Sequence, residues 1–168
     1  MSTRDPRVLA ALLVLCSAAT AAWAAEGPGL GVPVPAARVA IADISIAPDG
    51  SGLPAGSGTA LAGEPLFAAK CAGCHGERGQ DGLHDRLVGG RGTLATARPV
   101  KTVGSYWPYA TTVFDYIRRA MPYYEPRSLS DTEVYSLTAY LLYLNDIIGQ
   151  RYGAKPEDVG LRAADLQP

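Results

Sequence analysis

The pentad Cys71-Ala72-Gly73-Cys74-His75 constrains this chain more than any other stretch. Two thiols separated by two residues reach the two vinyl groups of one porphyrin, and the adjacent imidazole then falls under the iron as an axial ligand. A group held at two sulfurs and at its metal has no free rotation, so the rest of the fold must be built round it. The motif predicts one covalently attached haem c, anchored by Cys71 and Cys74 and ligated by His75.

Other chemistries fit the same five residues less well. A structural zinc site wants four nitrogen or sulfur ligands, usually as two separated pairs. Beyond residue 24 the chain offers only Cys71, Cys74, His75 and His84. A thioredoxin-like motif needs a strand before the cysteine pair, whereas this sequence reads as helix followed by glycine-rich loop. A disulfide between residues so close closes a very small loop and adds little stability.

The N-terminus supports export. Arg4 and Arg7 precede an apolar run over residues 8–15, followed by small residues and Ala22-Trp23-Ala24, an A-x-A cleavage pattern. We expect residues 1–24 to be a signal peptide and the mature protein to be periplasmic, with no membrane span once the leader is removed. The competing reading, an uncleaved anchor over residues 8–25, is interrupted by Ser17 and Thr20. Cys16 follows Leu15, which is bulkier than the residue a lipoprotein site carries. Removing Arg4, Arg7 and Asp5 from 15 basic and 16 acidic residues leaves 13 and 15. So even a balance gives no electrostatic case for nucleic acid as a partner. The 144 or so residues that remain of 168 are one domain's worth.

Residues 25–60 are rich in Gly, Pro and Ala and read as an extended arm that forms neither a long helix nor a regular strand. Within it, residues 39–46 are apolar enough to lie against a surface, this domain's or a partner's. Residues 61–149 hold the haem motif and all the strong helical signals. Residues 150–168 turn polar and read as a surface-bound or loose tail.

Three main helices are expected in that domain. The first begins near Gly63, with Pro65 in its first turn, and runs into the haem motif. A long loop over residues 76–106 follows. The second helix covers residues 111–120, with a threonine cap and Val113, Phe114 and Ile117 on one face. It stops at Met121-Pro122, where the proline pushes Met121 into extended backbone and frees its thioether to leave the helix line. A soft, neutral sulfur there suits the sixth iron position and favours ferrous iron. Met121 is the one methionine beyond the initiator, which weakens its reading as core filler. His84 is the rival ligand and reads instead as a solvated loop histidine. The third helix opens on Ser130-Asp131-Thr132-Glu133, a capping box, repeats apolar residues from Val134 to Ile148, and stops at Gly149.

Taken together, Gly63 and Phe67 one turn apart, the Cys71–His75 motif, Met121-Pro122 and Leu137-Thr138-Ala139-Tyr140-Leu141 resemble a class I cytochrome c. That resemblance implies an all-α fold of three main helices around one covalently bound haem, the first and last crossing through the Gly/Phe and Leu/Tyr positions. It also implies single-electron transfer with redox protein partners and no substrate chemistry of the chain's own. More narrowly, residues 48–58, residues 101–112 and Arg118-Arg119-Ala120-Met121-Pro122 resemble the first haem domain of the cytochrome subunit of periplasmic sulfur dehydrogenases, whose partner carries a molybdenum cofactor. This chain differs from the dihaem version in having one C-x-x-C-H motif. The resemblance further suggests Trp107, Tyr106 and Arg91 as donors to a haem propionate, against simple packing for Trp107 and a solvated charge for Arg91. A free electron carrier and a haem-based sensor with an open sixth site are the alternative functions.

Overall fold

Prolines, glycines and a few capping side chains decide where regular structure begins in the computed structural model, which describes residues 30–149 and 160–162. The expected signal peptide and most of the expected tail lie outside the described residues. The chain divides into two units, Met1–Asp43 and Ile44–Pro168.

In the first unit, Pro35 precedes a short helix, α1 (Ala36–Ala42). Its alanine-rich sequence favours helix, so the stretch expected to be extended contains two helical turns. From Ile44 onward the same stretch belongs to the second unit and is tied into it. The Tyr135 hydroxyl donates to the Pro54 carbonyl at 2.8 Å, and the Thr111 hydroxyl donates to the Pro48 carbonyl at 3.1 Å. Residues 44–60 are thus strapped to the helices of this same unit.

The strap ends in strand β1 (Ser57–Thr59), and Thr59 then caps helix α2 (Ala60–Lys70) by accepting the Ala62 N–H. That cap starts the helix one turn earlier than expected and leaves Pro65 inside it. The ring deprives the Leu61 carbonyl of its helical donor, and Leu61 is exposed to water. A four-residue helix, α3 (Ala72–His75), follows directly.

Helix α4 (Ala110–Ala120) begins after Tyr109 with no side-chain cap. The threonine cap expected at Thr111 is absent because that side chain is buried and spent on Pro48. Helix α5 (Asp131–Leu144) carries the expected capping box: the Ser130 hydroxyl accepts the Glu133 N–H, and the Glu133 carboxylate accepts the Ser130 N–H at 2.7 Å. It ends at Asn145, not Gly149. Asp146 turns left-handed at φ 55, the Ile147 N–H reaches back to the Leu142 carbonyl, and the Asp146 N–H to the Tyr143 carbonyl. This is a Schellman stop.

A second strand, β2 (Gly160–Arg162), pairs antiparallel with β1, Gly58 opposite Leu161. The fold is mostly helical as expected, but three residues of the expected tail supply this strand.

Every residue of α5 from Val134 to Leu142 is buried, as a helix covered on more than one side requires. Its rings stack on both neighbours, Phe67 against Tyr140 at 5.5 Å and Phe114 against Tyr135 at 4.4 Å between centroids. Helices α2 and α5 meet at Gly63, where a Cβ would overlap the Ser136 carbonyl and come within 2.8 Å of the Tyr140 Cβ. Only glycine allows two backbones this close.

Candidate functional site

A cavity of about 610 Å³ opens between α2, α3, α4, α5 and the loop that joins α3 to α4. That size falls within the range of small-molecule and cofactor sites. Its walls are apolar: Phe67, Val113, Ile117, Leu129, Leu137 and Leu141 contribute side chains that are almost wholly buried.

Cys71, Cys74, His75 and Met121 all line this one cavity. The first three are placed by the α2–α3 junction, where Cys71 ends one helix and precedes the next. Both cysteines are free thiols. Burial pushes the Cys71 thiol up to about 11, with a further push from the neighbouring Cys74, so at neutral pH it is protonated.

The His75 ring is oriented by the loop. Its Nδ1 lies 2.7 Å from the Asp85 carbonyl oxygen. A carbonyl can only accept, so Nδ1 carries the proton and donates, leaving Nε2 with a free lone pair. That is the arrangement of a metal-ligating histidine, and the carbonyl partner raises the ligand's basicity.

Met121 is the C-cap of α4, extended at φ −121 and ψ 146, with its N–H still held by the Ile117 carbonyl. The residue before a proline takes this conformation for steric reasons, and the thioether reaches the cavity wall. An imidazole nitrogen, a thioether sulfur and two free thiols around an apolar hollow are the donor set a covalently tethered haem needs.

The three residues suggested as propionate donors separate. Trp107 lines the cavity, edge-on to Tyr116 with centroids 5.5 Å apart. Tyr106 is exposed and does not line it; Lys101, which does, sits 4.9 Å over the Tyr106 ring. Arg91 is outside the lining too. Its guanidinium donates to the Asn145 carbonyl at 3.0 Å and the Asp146 carbonyl at 3.4 Å, which satisfies open carbonyls at the C-terminal end of α5. Arg91 is an exposed loop charge turned onto these two carbonyls, outside the cavity lining.

The sequence reads His84 as a solvated loop histidine and gives no role to the other residues that border this site. His84 borders the cavity although its residue is exposed. Lys70, Arg86 and Lys101 make its polar border basic, with Asp85 the one carboxylate among the lining residues. Asn145, at the end of α5, pins the loop beneath which His75 sits. Only Asn145 carried a sequence signal, since asparagine is common where helices stop. The Asp85 carbonyl carried none, because every residue supplies the same atom and only the fold decides which one meets the ring.

Comparison with known proteins agrees with this chemistry. The family described as "Cytochrome C oxidase, cbb3-type, subunit III" matches residues 58–141. No match is found among curated proteins. Among solved structures, a chain of the sulfane dehydrogenase SoxCD from Paracoccus pantotrophus is 40% identical with a TM-score of 0.70. The match covers 83% of the present chain but 66% of that one, so the present chain spans just under two thirds of its length.

Proposed function

We propose that this chain, which belongs to the class I cytochrome c family, carries single electrons in the periplasm as a subunit or partner of a molybdenum-cofactor dehydrogenase that oxidises reduced sulfur. The observation that carries the electron-transfer reading is the convergence of Cys71, Cys74, His75 and Met121 on one apolar cavity. The partner is supported by the 40% identity with a chain of a sulfane dehydrogenase.

When bound, one haem c would supply a one-electron iron couple, with His75 and Met121 as the residues that would ligate the iron. The protein residues do the rest. Cys71 and Cys74 would tether the ring, and His75 presents Nε2 because its Nδ1–H donates to the Asp85 main-chain carbonyl. Met121 presents a neutral sulfur, which favours the reduced state over what a second histidine would give. The side chains of Phe67, Leu137 and Leu141 exclude water and so lower the local dielectric. Tyr123 and Tyr124 line the cavity while remaining largely exposed, so they mark an edge where a partner can approach.

The reading is tested by maturing the full-length chain in a periplasm competent for haem attachment. The expected product gains the mass of one haem and is reduced by a sulfur-oxidising molybdenum dehydrogenase supplied with its substrate. A product without haem overturns the electron-transfer reading. A haem-loaded product that such dehydrogenases leave oxidised, while other donors reduce it, overturns the partner.

A further inference from the structure

We infer that Asn145, at the far end of α5 and outside the cavity lining, is a positioning residue for the axial histidine. The route runs through backbone. The Asn145 Oδ1 accepts the Gly89 N–H at 2.9 Å, and its Nδ2 donates to the Leu87 carbonyl at 3.1 Å and the Leu141 carbonyl at 2.9 Å. Only this orientation of the amide meets two acceptors and one donor, so the side chain is fully committed. One of these bonds caps its own helix. The other two cross 56 and 58 residues of sequence to grip the loop, which a helix cap alone does not require.

The gripped loop is the one that orients His75. Asp85, whose carbonyl accepts the His75 Nδ1–H, is held on its N-terminal side because the His84 N–H donates to the Cys74 carbonyl at 2.9 Å. On its C-terminal side the Leu87 N–H donates to the Gly79 carbonyl at 2.9 Å, and the Leu87 carbonyl takes the Asn145 amide. Asn145 thus ties this stretch to the end of α5 by hydrogen bonds, beside the packing of Leu87 on the core. It is 6% exposed, so water does not replace its bonds cheaply. Gly104 closes the far side of the amide: a Cβ there would overlap the Asn145 Oδ1 and come within 2.7 Å of Cγ.

The function follows from the strength of the Asp85 bond. A firm carbonyl partner makes the imidazole a better donor and stabilises the oxidised metal; a slack one does the opposite. Releasing the loop therefore raises the midpoint potential and speeds exchange of the His75 ring proton. This inference rests on the haem reading above, and its test separates the two.

The experiment uses haem-loaded full-length protein, parent against Asn145→Ala and Gly104→Ala, the second displacing the amide without removing it. Haem content by mass, midpoint potential, exchange of the His75 ring N–H by NMR, and urea midpoint are measured. Both variants are expected to keep their haem and to shift the reduced-to-oxidised ratio at fixed poise by up to about tenfold toward reduced, about 59 mV for one electron. Faster exchange of the ring proton should accompany the shift. Variants that lose only urea resistance, with potential and ring-proton exchange unchanged, would show Asn145 to be a helix cap and overturn the inference. A parent protein without haem overturns the haem reading itself. If Asn145→Ala does not fold, Gly104→Ala decides alone by the same two readouts.

Discussion

Replacing Gly63 with alanine tests the packing that sets the cavity's shape. Alanine is the better helix former by about 1 kcal/mol, so on propensity alone the variant gains stability. The structure reverses that sign. The new Cβ would overlap the Ser136 carbonyl, come 2.6 Å from its carbon, and lie 2.8 Å from the Tyr140 Cβ. The Ser136 atoms are main chain, and the Tyr140 Cβ is fixed to it. No rotamer change relieves them, and α2 must move off α5. Overpacking a tight contact costs about 1–3 kcal/mol, and a backbone obstacle belongs at the upper end. Subtracting the propensity gain leaves a net loss of about 2 kcal/mol, or about 10 °C in melting temperature for a unit of this size. Moving α2 also loosens the Phe67–Tyr140 pair beside the cavity. The control is Gly73→Ala, where a Cβ meets nothing within 4 Å and the same change should be neutral or stabilising. Thermal unfolding of the haem-loaded proteins by circular dichroism reads both. A Gly63→Ala protein that melts at or above the parent temperature would refute the claim that backbone contact at this crossing is limiting.

Two further outcomes are expected. Hydrogen bonds from the Ser130 N–H and hydroxyl hold the Glu133 carboxyl below the ordinary carboxylate range. A group depressed in the folded state adds stability above its unfolded value, and that stability is lost as the pH falls through the folded one. The urea midpoint should therefore drop less between pH 6 and pH 3 in Glu133→Gln than in the parent, and an identical drop would remove the capping box from this role. His84→Ala should leave the oxidised and reduced spectra unchanged, since Met121 rather than His84 is proposed as the sixth ligand; a change to a different ligation spectrum would reverse that assignment.

Features written in neighbouring residues were legible in the sequence. The Cys71–His75 motif, the pre-proline conformation of Met121 and the capping box at Ser130 each depend on atoms a few bonds apart, and each has the expected local geometry. What the sequence hid is set by distant partners. Thr111 looked like a cap until Pro48 claimed its hydroxyl. Arg91 looked like a loop charge or a propionate donor, but the end of α5 lies beside it. Apolar spacing continues to Ile148 and so points to a stop of α5 at Gly149. Ile148 does pack on the core, but after a left-handed turn at Asp146. Residues 160–162 gave no strand signal, as three residues pairing with three cannot show a period.

The central claim is that the iron of a tethered haem lies between the His75 nitrogen and the Met121 sulfur, and the absorption spectrum of the oxidised, haem-loaded protein tests it most directly. The account predicts a sulfur-to-iron charge-transfer band near the red end of the spectrum, present in the parent and absent from Met121→Ala while the haem stays attached through Cys71 and Cys74. A parent protein without that band, or a Met121→Ala protein that keeps it, would contradict the account.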